Sequence, residues 1–177
     1  MNYALFQSIN SLAGRIDAVD DPIEFAAIWL IAVLFAVAAV RVAWALRRRQ
    51  HRQVAEIAAT LALAFLLGVA VAGLGLEQRP FQSHHVHQLI PHGPGTSLPS
   101  DHATAAFAVA LAVGWFLDRR LGALLLVGAT VIGLARIWVG VHYPADVLAS
   151  LVIAAAAVAV VALAGRLVRI RRAVERP

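Results

Sequence analysis

The chain has 177 residues, 61% of them apolar and only 14% charged, a balance that excludes an ordinary soluble domain and points to membrane helices instead of a greasy soluble bundle. Cysteine is absent, which removes disulfides and thiol chemistry, and with no lysine all fifteen basic residues are arginine. The net charge of +5 does not make a nucleic-acid surface, because the arginines are strung around the ends of apolar segments instead of forming a patch.

In chain order, residues 3–16 put Leu5, Ile9, Leu12 and Ile16 on one helical stripe, which predicts a helix lying in the membrane interface within residues 1–22. A polar tail is the competing reading. The start lacks a basic region followed by a short apolar core and a cleavage site, so no cleavable signal is expected. Five windows then follow that are apolar enough for a bilayer of roughly 30 Å: residues 25–46, 56–76, 101–117, 121–141 and 145–166. The third is short. The fold class predicted is all-α, a polytopic bundle of about five transmembrane helices in a single membrane-embedded domain over residues 1–177.

Charge sets the expected orientation. Arg41, Arg47, Arg48, Arg49 and Arg52 surround the first turn between windows, and Arg119 and Arg120 fill the turn from third to fourth. Arg166, Arg169, Arg171, Arg172 and Arg176 close the fifth, the last four in a basic tail over residues 167–177. With alternating helices, twelve of the fifteen arginines fall on one side, which the positive-inside tendency makes cytoplasmic. The N-terminus is then outside, the C-terminus inside, and residues 77–100 form a loop on the outer side.

That topology gathers three polar patches at the outer interface: Arg79-Pro80-Phe81, Pro99-Ser100-Asp101-His102, and Arg136 with His142 and Asp146. Ionisable groups at membrane depth are normally excluded or functional. Ser100 or Asp101 caps a helix start, whose free N–H groups favour an anion. Arg79 and Arg136 each offer a planar fork to phosphate oxygens. Alone, Arg79 also reads as a headgroup anchor, and Arg136 as a partner for Asp146. His142 and Asp146 stand four apart across a Tyr-Pro turn, a spacing that lets Asp146 fix one ring nitrogen and free the other for attack.

The intervening loop carries His84, His85, His87 and His92 among glycines and prolines. His85-Val86-His87 hints at a metal, but no carboxylate or cysteine nearby completes a ligand set, and a flexible lid is the favoured reading. Trp29, Trp115 and Trp138 read as belt or packing residues.

These patterns resemble the type 2 phosphatidic acid phosphatase superfamily, whose signature is Lys-x6-Arg-Pro, Pro-Ser-Gly-His and Ser-Arg-x5-His-x3-Asp. Residues 60–150 carry it as Arg79-Pro80, Pro99-Ser100-Asp101-His102 and Ala135-Arg136 with His142 and Asp146. Ala72 stands at the lysine position, Ala135 at the serine and Asp101 at the glycine. Arg-Pro-Phe with Pro-Ser-Asp-His resembles the bacterial undecaprenyl-diphosphatase branch, which is similar also in length.

The resemblance implies a metal-independent, cofactor-free hydrolase acting on a lipid phosphate or diphosphate at the outer face of a bacterial cytoplasmic membrane. Undecaprenyl diphosphate, the cell-wall carrier precursor, is the favoured substrate. Phosphatidic acid or phosphatidylglycerol phosphate is the alternative, as is a non-catalytic binder or transporter. By the same resemblance His142 is the nucleophile oriented by Asp146, His102 the general acid and base, and Arg79, Ser100, Asp101 and Arg136 the phosphate-binding set. Membrane lipids are the other partner expected, nucleic acid is not, and the oligomeric state stays open.

Overall fold

A computed structural model describes residues 2–175; Arg176, the last arginine of the basic tail, lies outside the described residues. The elements are α1 (Asn2–Asn10), α2 (Asp17–Ile28), α3 (Leu30–Arg47), α4 (His51–Ala72), α5 (Pro80–Ser83), α6 (Asp101–Phe116), α7 (Arg119–Trp138) and α8 (Pro144–Val174). No strand forms among the described residues beyond one isolated bridge, Gln78 with Thr96. The all-α expectation holds.

Four helices, α3, α4, α7 and α8, are long and apolar enough to cross a membrane. The third predicted window, α6, has sixteen residues, about 24 Å of helix. It is also the centre of the bundle. Nine of its residues are buried on all sides, from Ala103 to Val113, because α3, α4, α7 and α8 pack around it. Its small residues allow that crowding. Where α6 meets α7 the backbones touch: a Cβ on Gly122 would lie 2.2 Å from the Cα of Gly114.

The end of the bundle that carries the arginine turns is tied together by Arg41, whose Nε stands 3.4 Å from Oδ2 of Asp118. Asp118 itself caps α7, accepting the N–H groups of Arg120 and Leu121. The opposite end holds α4's last turn, α5, the starts of α6 and α8, and the end of α7.

Two expectations need revising, the first at the N-terminus. The interfacial segment is two helices, and α1 does not merely lie on the interface. Leu5, Leu12 and Ile16 are exposed as the stripe predicts, while the opposite face buries Phe6 and Asn10 against the bundle. Phe6 meets Tyr143 edge-on at 5.4 Å. Asn10 donates to the carbonyls of His87 and Trp138 at 2.8 and 2.7 Å and accepts the His87 N–H at 2.9 Å. Apolar periodicity finds the lipid-facing stripe and is blind to a polar residue whose partners are distant carbonyls. Trp138 is likewise more than a belt residue, since its indole N–H donates to Asp20 at 2.8 Å and holds α2 on α7.

The second revision concerns the outer loop, which is an ordered roof rather than a flexible lid. Leu89 N–H donates to the Val139 carbonyl at 3.2 Å, and Ser97 N–H to that of Glu77 at 2.8 Å. Gly140 lets the roof come down: its φ is +83°, and a Cβ there would meet the His87 oxygen at 2.5 Å.

Candidate active site

The three patches distant in sequence meet at the α6/α8 start. Pro144 opens α8 at its first position, where its missing N–H is not needed. Asp146, two residues on, accepts the Tyr143 N–H at 2.7 Å through Oδ2. The same oxygen accepts the Ser97 hydroxyl and stands 3.2 Å from His142 Nδ1. His142 and Asp146 are essentially fully buried, at 1% and 0% exposure.

The partners of His142 fix its proton. Nδ1 faces only acceptors, the Ser97 carbonyl at 3.0 Å and the Asp146 carboxylate. Nε2 faces the guanidinium of Arg79, a group with donors only, 3.0 Å from Nη1. Imidazole is therefore neutral, protonated on Nδ1, with its Nε2 lone pair toward the site. Burial pushes its pKa down from 6.5 to about 4; the Asp146 hydrogen bond opposes that shift, and the charges of Arg136 and Arg79 reinforce it.

Arg79 and Arg136 are buried at 8% and 3% exposure. Arg79 also donates to the Val141 carbonyl at 3.3 Å, and Arg136 to that of Ala27 at 3.4 Å. Arg136 does not pair with Asp146, so that alternative fails. Nε of both arginines makes no hydrogen bond among the described residues, so each cation keeps donors for an anion. Burial lowers the Arg79 pKa from its ordinary value while the charges of Asp101 and Asp146 raise it.

Ser100 and Asp101 differ in detail from expectation. Ser100 is fully buried and caps α6 through Oγ, which accepts the Ala103 N–H at 3.4 Å. Its own N–H goes to Ser150 Oγ at 3.1 Å, and Ser150 donates back to the Ser100 carbonyl at 3.0 Å, locking α6 to α8. Only the hydroxyl proton of Ser100 stays available. Asp101 is exposed, and it stands at the mouth of an apolar groove of about 300 Å³ walled by Phe35, Leu61, Phe65 and Val69. Its backbone amide suits an anion; its carboxylate does not. His102, half-buried on the first turn of α6, lies within electrostatic reach of Arg136, His142 and His92.

Several neighbours escaped the sequence reading. Ser97 supplies both a carbonyl to His142 and a hydroxyl to Asp146, from a position just before the recognised Pro-Ser element. Asn2 bridges Glu77, at 3.2 Å, to the Ala145 N–H at 3.1 Å. His92 alone of the loop histidines reaches the site, its ring edge-on to that of His142 with centroids 6.3 Å apart. His84 instead stacks on Tyr3 at 3.8 Å. No group of three or more metal-binding side chains forms among the described residues.

The PAP2 superfamily model matches residues 53–169, a stretch that contains every one of the Arg79, His102, Arg136, His142 and Asp146 positions. The chain belongs to the PAP2 superfamily. It is 37% identical to the undecaprenyl-diphosphatase BcrC of Bacillus subtilis over 155 residues, 87% of this chain and 79% of that one. The solved structure of Aquifex aeolicus LpxE superposes with a TM-score of 0.74 at 25% identity, covering 90% of this chain and 93% of the other. A transmembrane PAP2 type phosphatidylglycerolphosphate phosphatase from Bacillus subtilis shares the fold, with a TM-score of 0.58 at 16% identity over 93% and 94%. The chain groups with the bacterial undecaprenyl-diphosphatase branch of PAP2 proteins and is a membrane-embedded lipid phosphatase.

Proposed function

We propose that the protein hydrolyses undecaprenyl diphosphate to undecaprenyl phosphate and inorganic phosphate through a phosphohistidine on His142, at the extracytoplasmic face. The observation that carries this reading is the His142 hydrogen-bond set, which leaves a neutral imidazole with its Nε2 lone pair directed at the buried guanidinium of Arg79, within electrostatic reach of Arg136. Phosphate oxygens drawn to Arg79 and Arg136 bring phosphorus to Nε2. The Nε2–P bond forms as the bond to the lipid phosphate oxygen breaks, and His102 protonates that leaving oxygen. His102 then takes a proton from water, whose oxygen attacks the phosphohistidine. Inorganic phosphate leaves and His142 is again neutral. The two arginines, the Ser100 hydroxyl and the Asp101 amide spread the charge on the equatorial oxygens.

The apolar groove at Asp101 supports a lipid substrate, since it lies on the α3, α4 and α6 surface and reaches the first residue of α6. The undecaprenyl chain in particular follows from the branch. Orientation follows from the arginine-rich turns lying at the end of the bundle away from His142. His92 stands beside the active-site cluster, its ring edge-on to that of His142. Burial and the charges of Arg79 and Arg136 lower its pKa despite its Gly93 hydrogen bond, and the negative charge of a bound phosphate acts in the opposite direction.

The test is phosphate release by purified protein from undecaprenyl diphosphate, phosphatidic acid and phosphatidylglycerol phosphate in detergent. Undecaprenyl diphosphate is expected to turn over fastest, and His142→Ala to stop release while remaining folded. Rapid alkaline quench with labelled substrate is expected to trap base-stable phosphate on the wild-type chain alone. Wild-type-like release by the alanine variant would remove the nucleophile from the scheme.

A further inference from the structure

At the end of the bundle opposite His142, α4, α6 and α8 part around a second and larger cavity, of about 930 Å³. Its inner walls are apolar, from Leu111 and Phe116 on α6 and Val158, Ala159 and Leu163 on α8. Its mouth is cationic, with Arg52 on α4 and Arg166 and Arg169 on α8.

The arginines are arranged, not scattered. Glu56 accepts from Arg52 Nε and Nη2 at 3.0 and 2.9 Å and stands 3.9 Å from Nη1 of Arg169. One carboxylate thus holds two guanidiniums side by side, across two helices. It gets there because residue 165 is glycine: a Cβ would lie 2.8 Å from Glu56 Oε1. Arg166 makes no ion pair among the described residues. Three cations against one anion leave the mouth at +2 above a hydrocarbon-lined hollow. Trp115, 68% exposed, marks the rim with a ring suited to the headgroup level.

We propose that this cavity binds one anionic diacyl phospholipid from the leaflet opposite the active site. The phosphate lies on the guanidinium forks of Arg52, Arg166 and Arg169, and an acyl chain fills the apolar space between α6 and α8. A zwitterionic lipid has the same phosphate but brings its own cation into a positive mouth. Glu56 does not offset this, since its single charge is already shared by Arg52 and Arg169 through Oε1.

Native mass spectrometry of the full chain in detergent tests the site, with added phosphatidylglycerol, phosphatidylcholine, phosphatidylethanolamine or undecaprenyl phosphate. One phosphatidylglycerol per chain is expected to be retained, about tenfold more tightly than phosphatidylcholine. Arg166→Gln with Arg169→Gln should erase that preference, whereas Arg47→Gln with Arg48→Gln, off the cavity, should keep it. Ala159→Phe fills the hollow and leaves every arginine in place, so it should also lose the lipid. Phosphate release in phospholipid-free detergent should persist in all of these variants, which reports folding separately. Equal retention of charged and zwitterionic lipid, or a preference that survives both cavity variants, would overturn the proposal. So would displacement of phosphatidylglycerol by undecaprenyl phosphate at lower concentration, which would give the cavity to the isoprenyl lipid.

Discussion

Replacing Asp146 by asparagine separates two jobs that an aspartate beside a catalytic histidine usually does together. Where the carboxylate alone fixes the histidine tautomer, its amide isostere costs roughly four orders of magnitude in rate. Here the Ser97 carbonyl, 3.0 Å from Nδ1, fixes the same proton independently. The Tyr143 N–H, 2.7 Å from Oδ2, further obliges an asparagine to keep its oxygen toward the histidine. What Asp146→Asn removes is charge. A hydrogen bond to a charged group is worth about 1.5–3 kcal/mol against roughly 0.5–1.5 for a neutral one. The difference, about 1–2 kcal/mol, corresponds to roughly a five- to thirtyfold fall in kcat/KM. The new amide NH2 takes the place of Oδ1, which is buried without a partner. That adds about 1–3 kcal/mol of instability, so melting temperature and rate must be measured on the same preparation. Phosphate release from undecaprenyl diphosphate is the assay. A thousandfold loss in a folded variant would refute the role given to the Ser97 carbonyl, and an unchanged rate would remove Asp146 from the mechanism.

Further outcomes follow from the same geometry. The folded pKa of His142, about 4 against 6.5, keeps the imidazole neutral as pH falls, so an acid limb of kcat/KM due to this group is expected near pH 4. Between those two values the unfolded chain binds the extra proton, so stability from His142 is complete above pH 6.5 and declines toward pH 4; an acid limb centred at 6.5 would contradict both statements. His92→Ala should raise KM for undecaprenyl diphosphate about tenfold with little change in kcat, the worth of one charge-assisted hydrogen bond, and a pure kcat effect would count against it. Gly122→Ala forces its Cβ to 2.2 Å from Gly114, and overpacking of about 1–3 kcal/mol should lower the detergent melting temperature; an unchanged value would mean α6 and α7 separate freely. Orthovanadate should inhibit competitively by presenting five-coordinate oxygens to both arginines, and an inhibition pattern independent of substrate would argue against a shared pocket.

What could be read from the chain alone depended on how local each determinant is. His142 and Asp146 lie within one turn of each other, and Arg136 six residues earlier is carried to them by the end of α7, so spacing alone exposed the cluster. The capping role of Ser100 was equally local. Ser97 and Ser150 were invisible because their partners lie 45 to 50 residues away, and a lone serine in an apolar stretch has no signature. Asn10, bonded across 77 and 128 residues, was hidden for the same reason. The helix bounds show a different limit. Hydropathy closed the fifth window at residue 166, yet α8 continues to Val174, since arginine is a good helix former and leaving an apolar layer does not end a helix. The roof was misread because glycine and proline signal turns, whereas order comes from distant backbone partners such as Val139.

The contact between Arg79 and His142 gives the resting enzyme a form of chemical discretion. On the proposed mechanism, a stray electrophile without anionic oxygens finds the attacking nitrogen already occupied by a guanidinium, on a buried side chain. Under that scheme only a ligand able to lure the cation aside uncovers the lone pair, so arrival of the correct substrate and arming of the attacking atom become a single event.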